Sequence, residues 1–198
     1  MCALFLWLKE SNVSRETLEN KFIIIIYKKY MFHVKHIHKS KSNVSRETLK
    51  KEKNKSNVSR ETLDEYYMSL AYKQAYKAFK NNEIPVGCII VKNSKIISKS
   101  YNKREKNNKT IDHAEIIAIT KANKKIKNWR LENCIMYVTM EPCMMCCGAI
   151  EQARIKKVIY GCKNETYGYL SKYKNINSEL LYKEECKKII QLFFQNKR

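Results

Sequence analysis

The sequence predicts an α/β fold, a three-layer α/β/α sandwich around a mixed sheet of about five strands. Two observations lead to this prediction. Residues 64–198 alternate between helical and strand spacing of apolar side chains, in the order helix, strand, strand, helix, strand, helix, strand, helix. The chain has 198 residues, enough for one domain of ordinary size with an extension. The order of elements predicts a mixed sheet with helices on both faces.

The first elements are a helix and a β-hairpin. Small and aromatic residues recur near helical spacing over positions 64–80, before two asparagines that end the pattern. An apolar, β-branched run at 84–91 and a second apolar run at 96–100 flank a polar turn. The two runs predict strands joined as a hairpin.

The later elements alternate between helices and strands. Positions 114–125 predict a helix, 134–139 a buried strand, 143–153 a helix with a proline at its start, and 158–160 a short strand. Residues 179–194 predict a terminal amphipathic helix.

The composition is strongly basic. The formal net charge is +21, from 40 basic and 19 acidic residues, and residues 68–198 alone retain +15. Such a charge favours a polyanionic partner such as nucleic acid. An AT-rich genome offers an alternative explanation, because lysine, asparagine and isoleucine codons are then abundant.

The cysteines and the apolar runs indicate a cytoplasmic protein. The eight cysteines lack the regular spacing of a disulfide framework, and no secretory leader is visible. The apolar runs at 3–8 and 22–26 fall short of the roughly 20 residues that span a bilayer. We therefore expect reduced thiols and no membrane segment.

An octapeptide, Ser-Asn-Val-Ser-Arg-Glu-Thr-Leu, occurs three times, at 11–18, 42–49 and 56–63. Its spacing is irregular, unlike that of a solenoid repeat. One DNA palindrome, TGTTTCACGTGAAACA, can encode the Asn-Val-Ser-Arg-Glu-Thr part of this peptide in one frame and the peptide at 31–36 in another. We therefore interpret residues 1–63 as a non-genuine leader, in which DNA sites are translated because the gene start is placed too far upstream, and residues 64–198 as the genuine domain.

Two positions could start the genuine protein, Leu63 if its codon serves as a start, and Met68. The alternative is a real but disordered basic tail that touches RNA nonspecifically. The histidines at 33, 36 and 38 resemble a metal cluster, but on the first interpretation they are accidents of the codons.

The chemistry of the chain is concentrated in an H-x-E motif that starts at His113 and a P-C-x-x-C motif that ends at Cys146. One imidazole nitrogen and the thiolates of Cys143 and Cys146 supply three ligands for a tetrahedral Zn²⁺, leaving the fourth position for water. Glu115 suits a proton shuttle better than a ligand. The combination is the signature of zinc nucleobase deaminases. Alone, the C-x-x-C pair could equally be a redox pair or packed core thiols.

Further short motifs extend beyond the zinc signature. They are Ile84-Pro85-Val86-Gly87, Tyr101-Asn102, Trp129-Arg130-Leu131, Tyr137-Val138-Thr139, Gly148-Ala149-Ile150, Ala153-Arg154-Ile155 and Tyr160-Gly161. With these motifs, residues 64–198 resemble bacterial tRNA-specific adenosine deaminase, which has a cytidine deaminase-like fold. The resemblance implies conversion of adenosine to inosine at the wobble position of the tRNA anticodon.

The resemblance also implies roles for individual residues. His113, Cys143 and Cys146 would bind one Zn²⁺ per subunit, and Glu115 would move protons while zinc-bound hydroxide attacks C6 of adenine. Asn102 would contact the flipped base, which Ile84 and Ala114 would enclose. The implied partners are the anticodon stem-loop of tRNA and a second subunit in a homodimer, with no DNA and no membrane.

Three features depart from the family pattern. Cys147 stands where a small alanine is usual, and we expect it to be a spectator. Asp112 stands directly before His113, where it could cap the following helix or hold the second histidine nitrogen, and we expect the cap. The segment after Gly161 is shorter than in the family, and Lys163, Lys172, Tyr173, Lys174, Lys197 and Arg198 could supply phosphate contacts in its place.

Two other functions stay open. A deaminase of free bases or nucleosides, such as guanine or cytosine deaminase, would share the zinc motif and the fold. A zinc-stabilised RNA-binding module without catalysis would share the basic charge, but it would have no need for the carboxylate of Glu115.

Overall fold

The structure, a computed structural model, describes residues 60–197. The first 59 residues, with the apolar runs and the three histidines discussed above, lie outside the described part of the chain. Among the residues that the structure describes, no helix is long and apolar enough to cross a membrane.

Helices and strands alternate along the described chain. In order they are α1 (Arg60–Lys80), β1 (Gly87–Lys92), β2 (Lys95–Tyr101), α2 (Arg104–Asn107), α3 (Ala114–Ile126), β3 (Cys134–Val138), α4 (Met144–Gln152), β4 (Lys157–Tyr160), a 3-10 turn (Leu170–Lys172), β5 (Ser178–Leu180) and α5 (Glu184–Gln195).

The strands form one mixed sheet of five strands in the order β2-β1-β3-β4-β5. Strand β1 runs antiparallel to both β2 and β3, whereas β3, β4 and β5 are parallel. The predicted hairpin and the predicted five-stranded mixed sheet are therefore confirmed.

Strand β1, which lies between β2 and β3, is buried on both faces, which explains its continuous apolar run. On one face, Met68 and Ala71 of α1 pack against Ile89. On the other face, Ala118 of α3 and Ile150 of α4 belong to the cluster that surrounds the opposite side of the sheet. The sheet thus lies between helical layers, as the predicted three-layer sandwich requires.

The terminal helix α5 packs beside α1, where Tyr72 shares a buried cluster with Cys186 and Ile189. The prediction of one helix over 179–194 is wrong at its start, because Ser178–Leu180 pairs in parallel with β4 and the helix begins at Glu184. All three residues of β5 are exposed, so no apolar alternation marks this edge strand in the sequence.

Other element boundaries differ by a few residues. Helix α1 begins at Arg60, inside the third copy of the octapeptide. Strand β1 begins at Gly87 and not at Ile84, because residues 84–86 form a tight turn in which the Val86 amide donates to the Ile84 carbonyl at 2.7 Å. The four-residue helix α2 was not predicted.

Candidate metal centre and active site

The two motifs meet where two helices begin. His113 is the residue directly before α3, and Cys143 is the residue directly before α4, both with extended backbone. Strand β3 ends at Val138, five residues before Cys143, and the Thr139 amide donates to the Gly87 carbonyl at 3.0 Å. The two motifs thus converge at two helix starts beside the end of a strand.

The three predicted ligand atoms lie together. The Nδ1 atom of His113 is 3.7 Å from Sγ of Cys143 and 3.6 Å from Sγ of Cys146, and all three atoms lie within 4.8 Å of one another. With ordinary Zn–N and Zn–S bond lengths, a tetrahedral zinc holds a nitrogen and a sulfur about 3.6 Å apart. The side chains therefore fit Zn²⁺ in both chemistry and spacing.

The pKa values of the two thiols in the C-x-x-C loop are shifted in opposite directions. The hydrogen bond from Cys146, with help from His113, lowers the pKa of Cys143 to about 4. The same hydrogen bond, together with burial, raises the pKa of Cys146 far above its ordinary value. The hydrogen bond to Cys143 also raises the pKa of His113. A dication bound by both sulfurs would require both thiols to be deprotonated.

Glu115 lies in the first turn of α3 with only 4% of its surface exposed. Burial raises the pKa of its carboxyl above the ordinary value. The start of α3 is held in place from the sheet, because the Ser100 hydroxyl donates to the Ala114 carbonyl at 2.7 Å. A carboxyl on this rigid helix start can hold a proton beside the ligand cluster.

A cavity of about 610 Å³ opens next to this cluster. Among its lining residues are the predicted Ile84, Asn102, His113, Ala114, Glu115 and Cys143. Cys146 is fully buried behind them. The structure thus gathers all seven predicted site residues, six as lining and one as a buried member of the metal cluster.

The mouth of the cavity adds residues that the sequence did not single out as site residues. They are Arg104, Met144, Tyr167, Tyr169 and Phe194, together with Lys172, which was expected to contact phosphate. Met144 and Tyr167 are 60% and 72% exposed, respectively. Large apolar residues close to the P-C-x-x-C motif in the sequence are a signal that could have identified them as site residues. Apolar periodicity alone, however, does not show that these side chains lie together at the mouth of the cavity.

The short segment after Gly161 packs onto the P-C-x-x-C loop. The Tyr169 amide donates to the Pro142 carbonyl at 3.1 Å, and the Asn164 amide donates to the Glu141 carboxylate at 3.3 Å. Gly168 pairs with Cys143 in an isolated antiparallel bridge. This segment therefore forms one wall of the cavity and carries Tyr167 to the rim.

The two departures beside the ligands are resolved by the geometry. The buried Cys147 thiol does not belong to the ligand cluster; it donates to the Pro142 carbonyl at 3.6 Å, and burial raises its pKa to about 12. The expectation that Asp112 caps α3 is wrong. Asp112 lies one position before the N-cap residue of α3, His113, and its carboxylate accepts a hydrogen bond from the Asn107 side chain at 2.5 Å.

Comparison with known proteins agrees with this site. Residues 61–162 match the family model described as the cytidine and deoxycytidylate deaminase zinc-binding region. That region contains every ligand and cavity residue predicted from the sequence. The fold and the site together define a zinc-dependent deaminase.

Similarity to curated proteins identifies the family within this class of zinc-dependent deaminases. The chain is 43% identical over 145 residues to a tRNA-specific adenosine deaminase of Buchnera aphidicola, a match that covers 68% of this chain and 96% of that protein. It is 36% identical over 146 residues to the tRNA-specific adenosine deaminase of Bacillus subtilis, covering 68% and 91% of the two chains. The chain belongs to the family of tRNA-specific adenosine deaminases.

Solved structures share the fold. One, from studies of A-to-I editing by tRNA:A34 deaminases at the wobble position of transfer RNA, superposes with a TM-score of 0.61 at 30% identity and covers 63% of this chain and 98% of the other. Guanine deaminase from Bacillus subtilis superposes with a TM-score of 0.50 at 29% identity, covering 66% and 93%. The fold therefore accommodates both RNA and free-base substrates.

Proposed function

We propose that residues 64–198 hydrolytically deaminate adenosine to inosine at the wobble position of the tRNA anticodon. The main support for this proposal is a cavity that contacts the His/Cys/Cys cluster and has basic and aromatic side chains at its mouth. Its volume of about 610 Å³ falls within the range of roughly 300–1,000 Å³ that is usual for small-molecule sites. It can accept one nucleoside flipped out of a longer RNA.

The inner part of the cavity would hold the base. Ile84 and Ala114 supply apolar walls, and Asn102, only 4% exposed, supplies the polar group that orients the ring. Glu115 lies beside the ligand cluster, where it would carry protons between the attacking water, the ring nitrogen and the leaving ammonia. Zinc bound to His113, Cys143 and Cys146 would supply a Lewis acid that lowers the pKa of the attacking water.

The outer part favours RNA over a free base. Tyr167 and Phe194 are exposed aromatic side chains on which neighbouring unpaired bases could stack, and Arg104 and Lys172 add positive charge beside them. A free base would leave these side chains without a ligand. The anticodon loop offers unpaired, easily flipped bases next to a phosphate backbone, which matches this rim.

A homodimer is part of the same proposal. Two further large apolar side chains, Ile111 and Trp129, are 57% and 54% exposed in the single chain. Sedimentation equilibrium of the purified protein would give the mass of the dimer, and a monomeric mass at the concentration of full activity would refute it.

The test is inosine formation in an arginine tRNA with an ACG anticodon, with adenine, adenosine, guanine and cytosine as alternative substrates. The full chain and residues 64–198 are assayed in parallel. We expect inosine in the tRNA only, at equal rates for both proteins. Turnover of guanine or cytosine in place of tRNA would assign the protein to the free-base branch, whose fold it shares. Zinc-loaded protein that binds the tRNA without turning it over would be a non-catalytic module.

A further inference from the structure

We propose that Glu83 is a positioning residue that fixes the orientation of the Asn102 side-chain amide in the substrate cavity. The inference rests on the proposed function, because it concerns how the same cavity reads its base. Glu83 does not line the cavity, so its effect is exerted through Asn102.

Glu83 is a carboxylate with no exposed surface, placed directly before the turn that leads into β1. Its Oε2 atom accepts a hydrogen bond from Nδ2 of Asn102 at 3.1 Å and another from the Glu105 amide at 3.2 Å. Its Oε1 atom accepts one from the Lys106 amide at 2.7 Å. Three N–H donors thus satisfy a carboxylate that would otherwise be costly to bury.

The chemistry of the pair admits one orientation of the amide. A side-chain amide has a donor end and an acceptor end, whereas an ionised carboxylate only accepts. If the Asn102 amide turned over, its Oδ1 would face Oε2 of Glu83, and a buried acceptor would lose its donor. The Asn102 backbone is also fixed, since its amide donates to the Val86 carbonyl at 3.0 Å. Glu83 therefore selects the rotamer of a residue whose main chain is already held.

The orientation matters because Asn102 lines the cavity together with His113 and Glu115. One Nδ2 proton of Asn102 is donated to Glu83. The Oδ1 atom and the second Nδ2 proton are therefore held at fixed positions, where they can contact the base. An adenine edge presents its own donor and acceptor in a set order. Reversal of the amide would place donor against donor and acceptor against acceptor.

Glu83 also binds the backbone of α2, in the turn that leads to the zinc-ligand histidine. The Lys103 amide donates to the Asp112 carbonyl at 3.0 Å, which closes this turn directly before His113. A purely structural role would thus act through His113 and metal binding. The test has to separate this route from the route through Asn102.

The first measurement is the side-chain amide resonances of Asn102 in ¹⁵N-labelled, zinc-loaded full-length protein. In the wild type we expect one Nδ2 proton of Asn102 to be protected from exchange with solvent. In Glu83→Gln the new amide can satisfy Oδ1 of Asn102 in place of Nδ2, so the protection should be lost at least tenfold. Unchanged protection in that variant would overturn the proposal. The readout requires no turnover, so it decides the question even if the protein is inactive on tRNA.

The second measurement is a double-mutant cycle on the affinity for an anticodon stem-loop with purine riboside at the wobble position. We expect Glu83→Gln to weaken binding at least tenfold in the wild-type background and less than twofold in the Asn102→Ala background. Equal losses in both backgrounds would show that Glu83 acts through the turn and would overturn the proposal. Glu132→Gln, which removes an exposed carboxylate paired with Arg154, is the matched control and should leave affinity and zinc content unchanged.

If Glu83→Gln does not fold, Glu83→Asp replaces it in both measurements, because it keeps the charge and withdraws the acceptor from Asn102 by about one bond length. Steady-state assays of the folded variant should show a change in KM larger than the change in kcat. A wild-type protein without activity on tRNA would refute the proposed function, and the exchange measurement would still stand as the test of the Glu83–Asn102 pair.

Discussion

The phenol of Tyr137 donates a hydrogen bond to the carboxylate of Asp64 at 2.5 Å, joining the central strand β3 to the start of α1 across 73 positions. Lys183 forms a second link to the same turn, an ion pair with Glu65 at 2.8 Å. Leu63 packs, partly buried, against the cluster on this face of the sheet. The beginning of α1 is therefore part of the packed domain.

These contacts distinguish the two possible starts of the genuine protein. We expect residues 63–198 to match the full chain in melting temperature, whereas residues 68–198 should lose about 2–4 kcal/mol, since they lack the Asp64 hydrogen bond and the packing of Tyr67. Thermal and urea unfolding of the two proteins measures the difference. Equal stabilities would favour Met68 as the start. Separately, an amino-terminal peptide of the native protein that maps upstream of residue 63 would refute the hypothesis that residues 1–63 are a non-genuine leader.

Replacement of neighbouring cysteines separates a ligand from a spectator. Cys146→Ser should reduce zinc content to well below one per chain, because a hydroxyl is a poor substitute for a thiolate ligand. Cys147→Ala should keep its zinc, since that thiol contacts only the Pro142 carbonyl among the described hydrogen bonds. Atomic emission on the purified variants gives the metal content. Loss of zinc from Cys147→Ala, with zinc retained in Cys146→Ser, would contradict the ligand assignment.

Glu115→Gln tests the proton shuttle without removing the side chain's volume. We expect a loss of about 10²–10⁴-fold in the rate of inosine formation with zinc content unchanged, because the amide cannot exchange protons with the attacking water. Single-turnover assays with the tRNA measure the rate. Activity within a few-fold of the wild type would rule out Glu115 as the general acid and base. Glu132→Gln serves again as the control for loss of an exposed carboxylate.

Gly87→Ala tests the close approach of α1 to β1. A Cβ atom at position 87 would lie 2.1 Å from the Ala71 carbonyl oxygen and 2.4 Å from the Ala75 amide nitrogen, so the helix would have to move. We expect a loss of about 3 kcal/mol or more. Gly148→Ala is the matched control, because its Cβ would meet nothing nearer than the Tyr173 hydroxyl at 3.5 Å. That change lies inside α4 and should stabilise the protein by about 0.5–1 kcal/mol. Chemical denaturation of both variants measures the effects, and equal stabilities would contradict the predicted clash.

The sequence alone determined the chemistry of the site. His113, Cys143 and Cys146 carry ligand types at a spacing that zinc requires, and each stands at a helix start that the local pattern marks. The hairpin, the helices on both faces and the mixed sheet follow from apolar periodicity, because burial on one or both faces leaves a regular trace in the chain. The roles of Asn102, Ile84 and Ala114 rest on the family resemblance and stay predictions.

The tertiary structure decided what depends on contacts between distant residues. Strand β5 has no apolar pattern, since its place at the sheet edge comes from backbone pairing with β4. Asp112 accepts a hydrogen bond from Asn107 and does not cap α3, because it lies one position before the N-cap residue His113. Glu83 acquired its partners only when residues 102–106 folded over it. Periodicity records burial but not which polar groups meet, so these relationships appear only once the chain is folded.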